Sequence, residues 1–140
     1  MADAAPPLAW YEPPADLTAF VQSFVRRDER PEARVVRILP EPRTSIQVMA
    51  AAPYWLRPRD AAAPWRRLPR VALWGPQHAW GYGYAGGHVR AFGALLTPAG
   101  FAALLKRPAW ALVDGVLPVT EVDAPLGEAL EPRGEEGFEA

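Results

Sequence analysis

The proline content of this chain limits it to short elements of secondary structure. The sequence contains 17 prolines in 140 residues, well above the average share of about 5%. Because proline lacks a backbone donor and clashes with the preceding turn of a helix, this density disfavours long helices. It suits short strands that are joined by turns. We therefore expect a mainly β protein of the α+β class.

The clearest local pattern is a strand that leads into a short helix. Val89–Leu96 has the apolar and β-branched content of a strand. Thr97 is then an N-cap candidate, and Pro98 suits the first helical position, where its missing donor costs nothing. Apolar residues follow at helical spacing and predict one buried stripe: Phe101, Leu104 and Leu105. Pro108 prevents the helix from continuing.

A second helix is predicted near the N-terminus, between Pro13 and Arg27. Asp16 is a plausible N-cap for it. The apolar residues that follow have the i, i+3, i+4, i+7 and i+8 spacing of one helix face: Leu17, Phe20, Val21, Phe24 and Val25. Arg26 and Arg27 then suit the negative end of a helix dipole. We expect this helix to pack on its own domain rather than on a partner.

Between the two predicted helices, short apolar segments alternate with turn residues. Strands are predicted at residues 34–39, 44–50, 54–57 and 68–74. The turn at residues 40–43 predicts that the first two strands form a hairpin. A second hairpin is expected where Gly86-Gly87 joins a strand at residues 78–84 to Val89–Leu96.

The strand at residues 78–84 places its large side chains on one face and alanine or glycine on the other. Gly81 and Gly83 weaken a strand, so they indicate close backbone approach or strong bending, as in a curved barrel wall. The large face can line an apolar pocket that has a few polar groups, which is typical of a small-molecule site. The candidate ligand-binding residues are Trp74, His78, Trp80, Tyr82, Tyr84, Gln47 and Arg90. Ordinary barrel core is an equally weighted alternative.

Residues that carry catalytic or metal chemistry are few. The chain has no cysteine, which excludes disulfides and thiolate metal sites. His78 and His88 lie ten residues apart without a partner at ligand spacing, so we expect no metal. Ser23 and Ser45 are the only serines, which leaves little for nucleophilic catalysis. We therefore predict no catalytic residues, no cofactor and no enzymatic activity.

The formal net charge of −1 conceals a strong asymmetry. Residues 26–107 contain fourteen basic and five acidic residues, whereas residues 108–140 contain one basic and eight acidic residues. A basic body can indicate nucleic-acid binding. Here the arginines are scattered singly or in pairs through proline-rich turns. This distribution favours a solvated surface over a nucleic-acid groove.

The length of the chain fits one domain. We expect a domain at residues 13–122, preceded by a tether at residues 1–12 and followed by an acidic tail or linker at residues 123–140. The N-terminus lacks the basic flank and apolar run of a signal peptide, and no window approaches the roughly 20 apolar residues of a membrane span. The absence of cysteine suits a reducing compartment. We expect a cytoplasmic protein that does not contact a membrane.

Five short segments occur in a fixed order along the chain. They are Asp16-Leu17-x-x-Phe20-Val21-x-x-Phe24, Arg37-Ile38-Leu39-Pro40, Ser45-Ile46-Gln47-Val48, Trp74-Gly75-Pro76-Gln77 and the run from Phe92 to Phe101. Together they resemble the N-terminal domain of a subgroup of AraC-type transcription regulators, over about residues 8–122. In that family this domain is a cupin-like β-barrel with appended helices. The resemblance therefore implies a small cupin-like β-barrel with an N-terminal helix and a helix after the last barrel strand.

The resemblance also implies a function. The family's N-terminal domain senses an effector or mediates dimerisation, so the expected partners are a small-molecule effector and a second copy of the chain. Nothing after Val122 resembles the family's DNA-binding domain, so DNA would be bound only through a C-terminal helix-turn-helix domain that is not in this chain. The abrupt acidic end favours a piece of a longer protein over a stand-alone relative.

Two other functions stay open at this point. The first is a ligand-free domain for dimerisation or protein interaction, in which a helix packs across a two-fold axis. The second is a cupin-like isomerase or hydrolase that uses His78 or His88 as a base.

Overall fold

The chain is mainly β in the computed structural model, which describes residues 8–30, 35–60 and 62–131. The strands are β1 (Leu8–Tyr11), β2 (Val21–Glu29), β3 (Val35–Ile38), β4 (Thr44–Met49), β5 (Tyr54–Pro58), β6 (Arg66–Arg67), β7 (Val71–Trp74), β8 (Gly81–Ala85), β9 (Val89–Leu96) and β10 (Val116–Pro118). The α-helices are α1 (Pro98–Leu105) and α2 (Ala124–Leu130), and short 3-10 helices cover Ala15–Leu17, Ala109–Leu112 and Val119–Glu121. The mainly β prediction is confirmed.

The strands form two antiparallel sheets. The larger sheet has the order β1-β2-β9-β4-β7-β10, and the smaller sheet has the order β3-β8-β5-β6. Among the described residues, no strand is shared or paired between the two sheets, so they face each other as an open sandwich and do not close into a barrel.

The larger sheet is the middle of three layers. On one side it packs against the helices, through a core that contains Val48, Val71, Leu73, Leu96, Phe101, Leu105, Leu112 and Val119. On its other side it packs against the smaller sheet, through a core that contains Met49, Tyr54, Leu68, Ala72, Ala85, Val89 and Ala91. This alternation follows from the two-residue period of a strand, which sends successive side chains to opposite faces.

Helix α1 forms where the sequence predicts it. The Thr97 side-chain oxygen accepts a hydrogen bond from the Gly100 N–H at 3.0 Å, as expected of an N-cap. Phe101 is only 1% exposed and lies in the helix-side core. Gly100 allows the helix to approach the preceding chain closely, because a Cβ at this position would lie 2.0 Å from the Phe20 carbonyl oxygen. Lys106 ends the helix in the left-handed conformation, with φ 57°.

The predicted N-terminal helix between Pro13 and Arg27 is wrong. Only Ala15–Leu17 is helical, as one 3-10 turn without a side-chain cap, and strand β2 begins at Val21. Strand β2 pairs with β1 on one side and with β9 on the other. Hydrogen bonds to two neighbouring strands override a helical apolar spacing, since local propensity is worth little beside tertiary pairing.

Neither predicted hairpin forms. Strand β3 pairs with β8 in the smaller sheet, whereas β4 pairs with β7 and β9 in the larger sheet. Strands β8 and β9 also lie in different sheets. The turns at residues 40–43 and at Gly86-Gly87 therefore carry the chain from one sheet to the other. Turn residues allow a chain reversal, but they do not select the strand that is paired afterwards.

The two ends of the described chain contain regular structure. Residues 8–11, within the predicted tether of residues 1–12, form strand β1 at the edge of the larger sheet, and residues 1–7 lie outside the described residues. Helix α2 lies within the predicted tail of residues 123–140, and its Leu126 and Leu130 pack on the helix-side core. Residues 132–140 lie outside the described part. No helix in the described ranges has the length and apolar character that crossing a membrane requires.

Candidate functional site

A cavity of about 150 Å³ lies between the two sheets. Its lining combines apolar and polar side chains from both sheets and from the connection between β3 and β4: Arg27, Ile38, Leu39, Glu41, Arg43, Ser45, Gln47, Met49, Tyr54, Leu68, Trp74, Gly75 and Gln77. An apolar cavity of about 150 Å³ in another protein binds benzene. The space between the sheets therefore fits a small organic molecule.

Strand β4 forms one wall of the cavity and contributes polar side chains to it. Alternation along the strand sends Ser45, Gln47 and Met49 into the cavity and Ile46 and Val48 to the helix side. The Gln47 Nε2 donates to the Ser45 hydroxyl oxygen at 3.4 Å, which is its one hydrogen bond within the described residues. A glutamine amide can form up to four hydrogen bonds. Most of the hydrogen-bonding capacity of Gln47 is thus available to a bound molecule.

Trp74 contributes a donor that lacks a partner. Its side chain lines the cavity, and its indole Nε1 is buried without an acceptor among the described residues. A buried donor that makes no hydrogen bond costs about 1–3 kcal/mol. A ligand whose acceptor reached this N–H would recover that cost.

Tyr54 forms part of the opposite wall of the cavity, on strand β5. Burial raises the pKa of Tyr54 above its ordinary value, so the hydroxyl stays neutral and can both donate and accept. The ring lies beneath Gly83 of β8, where a Cβ would stand 2.2 Å from the Tyr54 hydroxyl oxygen. Glycine at position 83 therefore makes room for the tyrosine, which explains why the small face of β8 is turned inwards.

The charged side chains at the cavity are paired. Arg43 donates from Nε and Nη2 to the two carboxylate oxygens of Glu41, each at 2.9 Å. This hydrogen bonding lowers the pKa of Glu41 and raises the pKa of Arg43. Arg27 forms an ion pair with Glu29. Since each of these arginines faces a carboxylate, the lining does not present a free cation to a ligand.

The structure does not bring the seven candidate residues into one site. Gln47 and Trp74 line the cavity. Trp80, Tyr82 and Tyr84 belong to the outer face of the smaller sheet, because the opposite face of β8 packs towards the interior. The sequence shows the split between large and small side chains along β8, but the large side chains face away from the cavity.

His78 and Arg90 lie apart from both groups. His78 is exposed, and its backbone N–H donates to the Asp114 carboxylate at 2.6 Å. Arg90 lies opposite Asp28 in the pairing of β2 with β9, on the helix side of the larger sheet, and its Nε is 3.9 Å from that carboxylate. The His88 ring also contacts Asp28. The described residues contain no group of three or more histidine or acidic side chains that could hold a metal ion.

Among the lining residues, sequence reasoning selected only Gln47 and Trp74, and those it missed include Ser45, Met49 and Tyr54. Ser45 and Met49 alternate in phase with Gln47 along β4, so the period of that strand is a signal that could have identified them. Tyr54 carries no such signal, because its position depends on the pairing of β5 with β8.

Comparison with known proteins gives one match. Residues 9–118 match the family described as Domain of unknown function (DUF6597). The matched residues run from β1 to the end of β10, so they include the whole cavity lining. Neither the curated proteins nor the solved structures contain a match to this chain.

Proposed function

We propose that this chain, which belongs to the family described as Domain of unknown function (DUF6597), is a regulatory domain that binds a small organic effector between its two sheets. The family description assigns no activity. The observation that carries the proposal is the cavity of about 150 Å³, which is lined by polar and apolar side chains. One of its lining residues, Trp74, has a buried indole N–H without an acceptor among the described residues.

The chemistry of the lining supports an uncharged effector with hydrogen-bond acceptors. Glu41 is paired with Arg43, and Arg27 with a neighbouring carboxylate, so a charged ligand would lack a free counter-charge. The Gln47 amide and the Trp74 indole N–H supply donors in a cavity whose other lining residues are partly apolar and partly polar. A few polar groups in a largely apolar pocket are typical of small-molecule sites.

The resemblance to AraC-type regulators supplies the regulatory part of the proposal. The chain acts in the cytoplasm as the sensor and dimerisation domain of a transcription regulator, and duplex DNA is bound by a helix-turn-helix domain outside these residues. Two facing sheets, with helix α1 directly after β9, support a cupin-like relationship. Coupling between effector binding and DNA binding would be reciprocal, because each would shift the same conformational equilibrium.

A thermal-shift screen of small neutral metabolites that carry hydrogen-bond acceptors tests this function. A ligand at 100 times its Kd stabilises the folded state by about 2.7 kcal/mol, which raises the melting temperature. Gln47→Leu removes the cavity amide at similar size and should abolish the shift. Gln22→Leu is the matched control, since Gln22 is exposed on β2. The proposal fails if no compound raises the melting temperature, or if both variants respond equally.

A ligand-free dimerisation domain is the second candidate. Strand β1 lies at the edge of the larger sheet, and its Leu8, Trp10 and Tyr11 are 46%, 51% and 50% exposed. An apolar edge strand is a template for pairing with another chain. Sedimentation of the unaltered chain and of Trp10→Glu should then show a dimer and a monomer, respectively. A monomer at high concentration in both samples would remove this candidate.

A further inference from the structure

The outer face of the smaller sheet alternates arginine with aromatic side chains. We call this surface the Arg–aromatic face and define it by Arg37, Trp55, Arg57, Arg67, Trp80 and Tyr82. Directly opposed residues of antiparallel strands project to the same side. Tyr82 is opposed by Arg37 on β3 and by Arg57 on β5, and Trp55 is opposed by Arg67 on β6. The sheet register therefore gathers arginines that are scattered along the sequence.

The arginines are stacked over the aromatic rings. The guanidinium carbon of Arg37 is 4.7 Å from the centroid of Trp80, that of Arg57 is 5.4 Å from the centroid of Tyr82, and that of Arg67 is 6.0 Å from the centroid of Trp55. These distances are in the range of cation–π contacts. A planar guanidinium held over a ring loses little conformational freedom when its N–H groups then bind a phosphate.

Within the part of the chain that the structure describes, no ion pair compensates the charge on this face. The four strands of the smaller sheet contain four arginines and no acidic residue. The ion pairs formed by the described residues involve other cations, not Arg37, Arg57 or Arg67. The Arg57 Nε is also buried and has no acceptor among the described residues. The positive charge of this face therefore favours an anionic partner, and a second copy of this face would be repelled.

We propose that the Arg–aromatic face binds single-stranded nucleic acid, with phosphates on the guanidinium groups and bases against the rings. Cations interleaved with aromatic side chains are the arrangement that single strands need, because bases stack on rings while the backbone follows positive charge. A flat sheet face does not enter the groove of a duplex, which admits a helix or a two-stranded ribbon. An acidic peptide would use the charges but not the rings.

This surface is separate from the effector cavity and does not depend on it. The residues that define the Arg–aromatic face do not line the space between the sheets. The proposal also departs from two sequence-based expectations, that the arginines are merely solvated and that nucleic acid is contacted only outside this chain. The first expectation rested on the scattering of the arginines along the sequence, but the pairing of β3, β8, β5 and β6 brings these arginines onto one sheet face. The second expectation rested on the resemblance to AraC-type regulators.

Fluorescence anisotropy of a labelled 12-nucleotide oligothymidylate, titrated with the 140-residue chain, tests the proposal. Three phosphate contacts on a single strand predict a slope of about −2.1 in log affinity against log salt, so raising salt from 50 to 200 mM weakens binding by roughly 20-fold. A duplex of the same length should bind more weakly than the single strand. A polyglutamate peptide should compete poorly.

The variant Arg37→Gln/Arg67→Gln should reduce the salt slope by about 1.4, since each lost phosphate contact removes about 0.7. Lys106→Gln/Arg107→Gln is the matched control, because it removes the same charge from exposed residues after α1. Absence of binding at 50 mM salt, an equal loss in the control, or tighter binding of the duplex or the acidic peptide overturns the proposal. If the double variant does not fold, the slope of log affinity against log salt for the unaltered chain, expected at about −2.1, tests the proposal by itself.

Discussion

The Thr97 hydroxyl joins helix α1 to the segment before strand β2. Its Oγ1 accepts from the Gly100 N–H at 3.0 Å and donates to the Ala19 carbonyl at 2.7 Å. The backbone N–H of Thr97 also donates to the Phe20 carbonyl at 3.0 Å, and this bond does not involve the side chain. Thr97→Ala therefore removes two hydrogen bonds at the start of α1 and leaves the backbone contact in place.

The cost of this change follows from the two bonds. Loss of an N-cap destabilises a protein by about 1 kcal/mol, and loss of a second hydrogen bond costs about 1 kcal/mol. Thr97 is partly exposed, so water replaces part of the lost contact. We expect the free energy of unfolding to fall by about 1.5 to 2 kcal/mol. With an unfolding entropy of about 2.1 cal/mol/K per residue, this lowers the melting temperature by about 5 to 7 °C.

Urea denaturation followed by tryptophan fluorescence measures this effect. The m value should not change, because the variant exposes the same surface on unfolding. Thr97→Ser keeps the hydroxyl and should stay close to the unaltered chain, whereas Thr97→Val keeps the shape and should match Thr97→Ala. A difference of less than about 0.5 kcal/mol between the alanine and serine variants would refute the assigned role of the hydroxyl.

Three further changes test other contacts by the same denaturation. Gly83→Ala places a Cβ 2.2 Å from the Tyr54 hydroxyl oxygen and should cost about 1–3 kcal/mol; the cost should shrink in a Tyr54→Leu background, and strict additivity would contradict the contact. Hydrogen bonding to Arg43 lowers the pKa of Glu41 below its ordinary value of 4.5. The ionised Glu41 therefore contributes to folding stability above pH 4.5, and this contribution is lost as the pH falls through the lowered pKa. Because the pair is largely exposed, Glu41→Gln should cost less than about 1 kcal/mol at pH 7. A stability difference between the variant and the unaltered chain that does not narrow as the pH falls below 4.5 would be inconsistent with this linkage. Asp114→Ala removes the acceptor of two backbone N–H groups, at 2.6 and 2.9 Å, and should cost about 1–2 kcal/mol more than Asp114→Asn.

Helix α1 could be predicted because its signals are local. Thr97 and Pro98 define its start within one turn, and Pro108 limits its end. The apolar stripe also matches the observed burial, since Phe101 and Leu105 are in the helix-side core. Agreement between capping, periodicity and a stop signal leaves few alternatives for a segment of eight residues.

The region from Pro13 to Arg27 could not be predicted in the same way. Its apolar spacing fits a helix, but Leu17 and Phe20 are 37% and 47% exposed. The backbone of β2 instead bonds to β1 and β9, which lie far apart along the chain. The energy that decides between helix and strand here comes from these pairings, so a window of local sequence does not contain it.

The same limitation applies to the candidate site. The alternation of large and small residues in β8 is visible in the sequence, but the direction in which the large side chains face is set by Tyr54, which needs the space above Gly83. That contact exists only because β5 pairs with β8. The assignment of Trp80, Tyr82 and Tyr84 to an interior pocket required pairing information that the strand itself does not carry.

Strand β5 contributes neighbouring residues to the two proposed sites. Tyr54 lines the cavity, whereas Trp55 lies on the Arg–aromatic face. Because successive side chains of a strand point to opposite faces, Tyr54→Phe and Trp55→Leu alter one surface each on the same backbone. We expect Tyr54→Phe to weaken effector-induced thermal shifts without changing oligothymidylate anisotropy, and Trp55→Leu to do the opposite. If each variant changed both measurements equally, the separate assignment of effector binding and nucleic-acid binding to the two faces of the smaller sheet would be wrong.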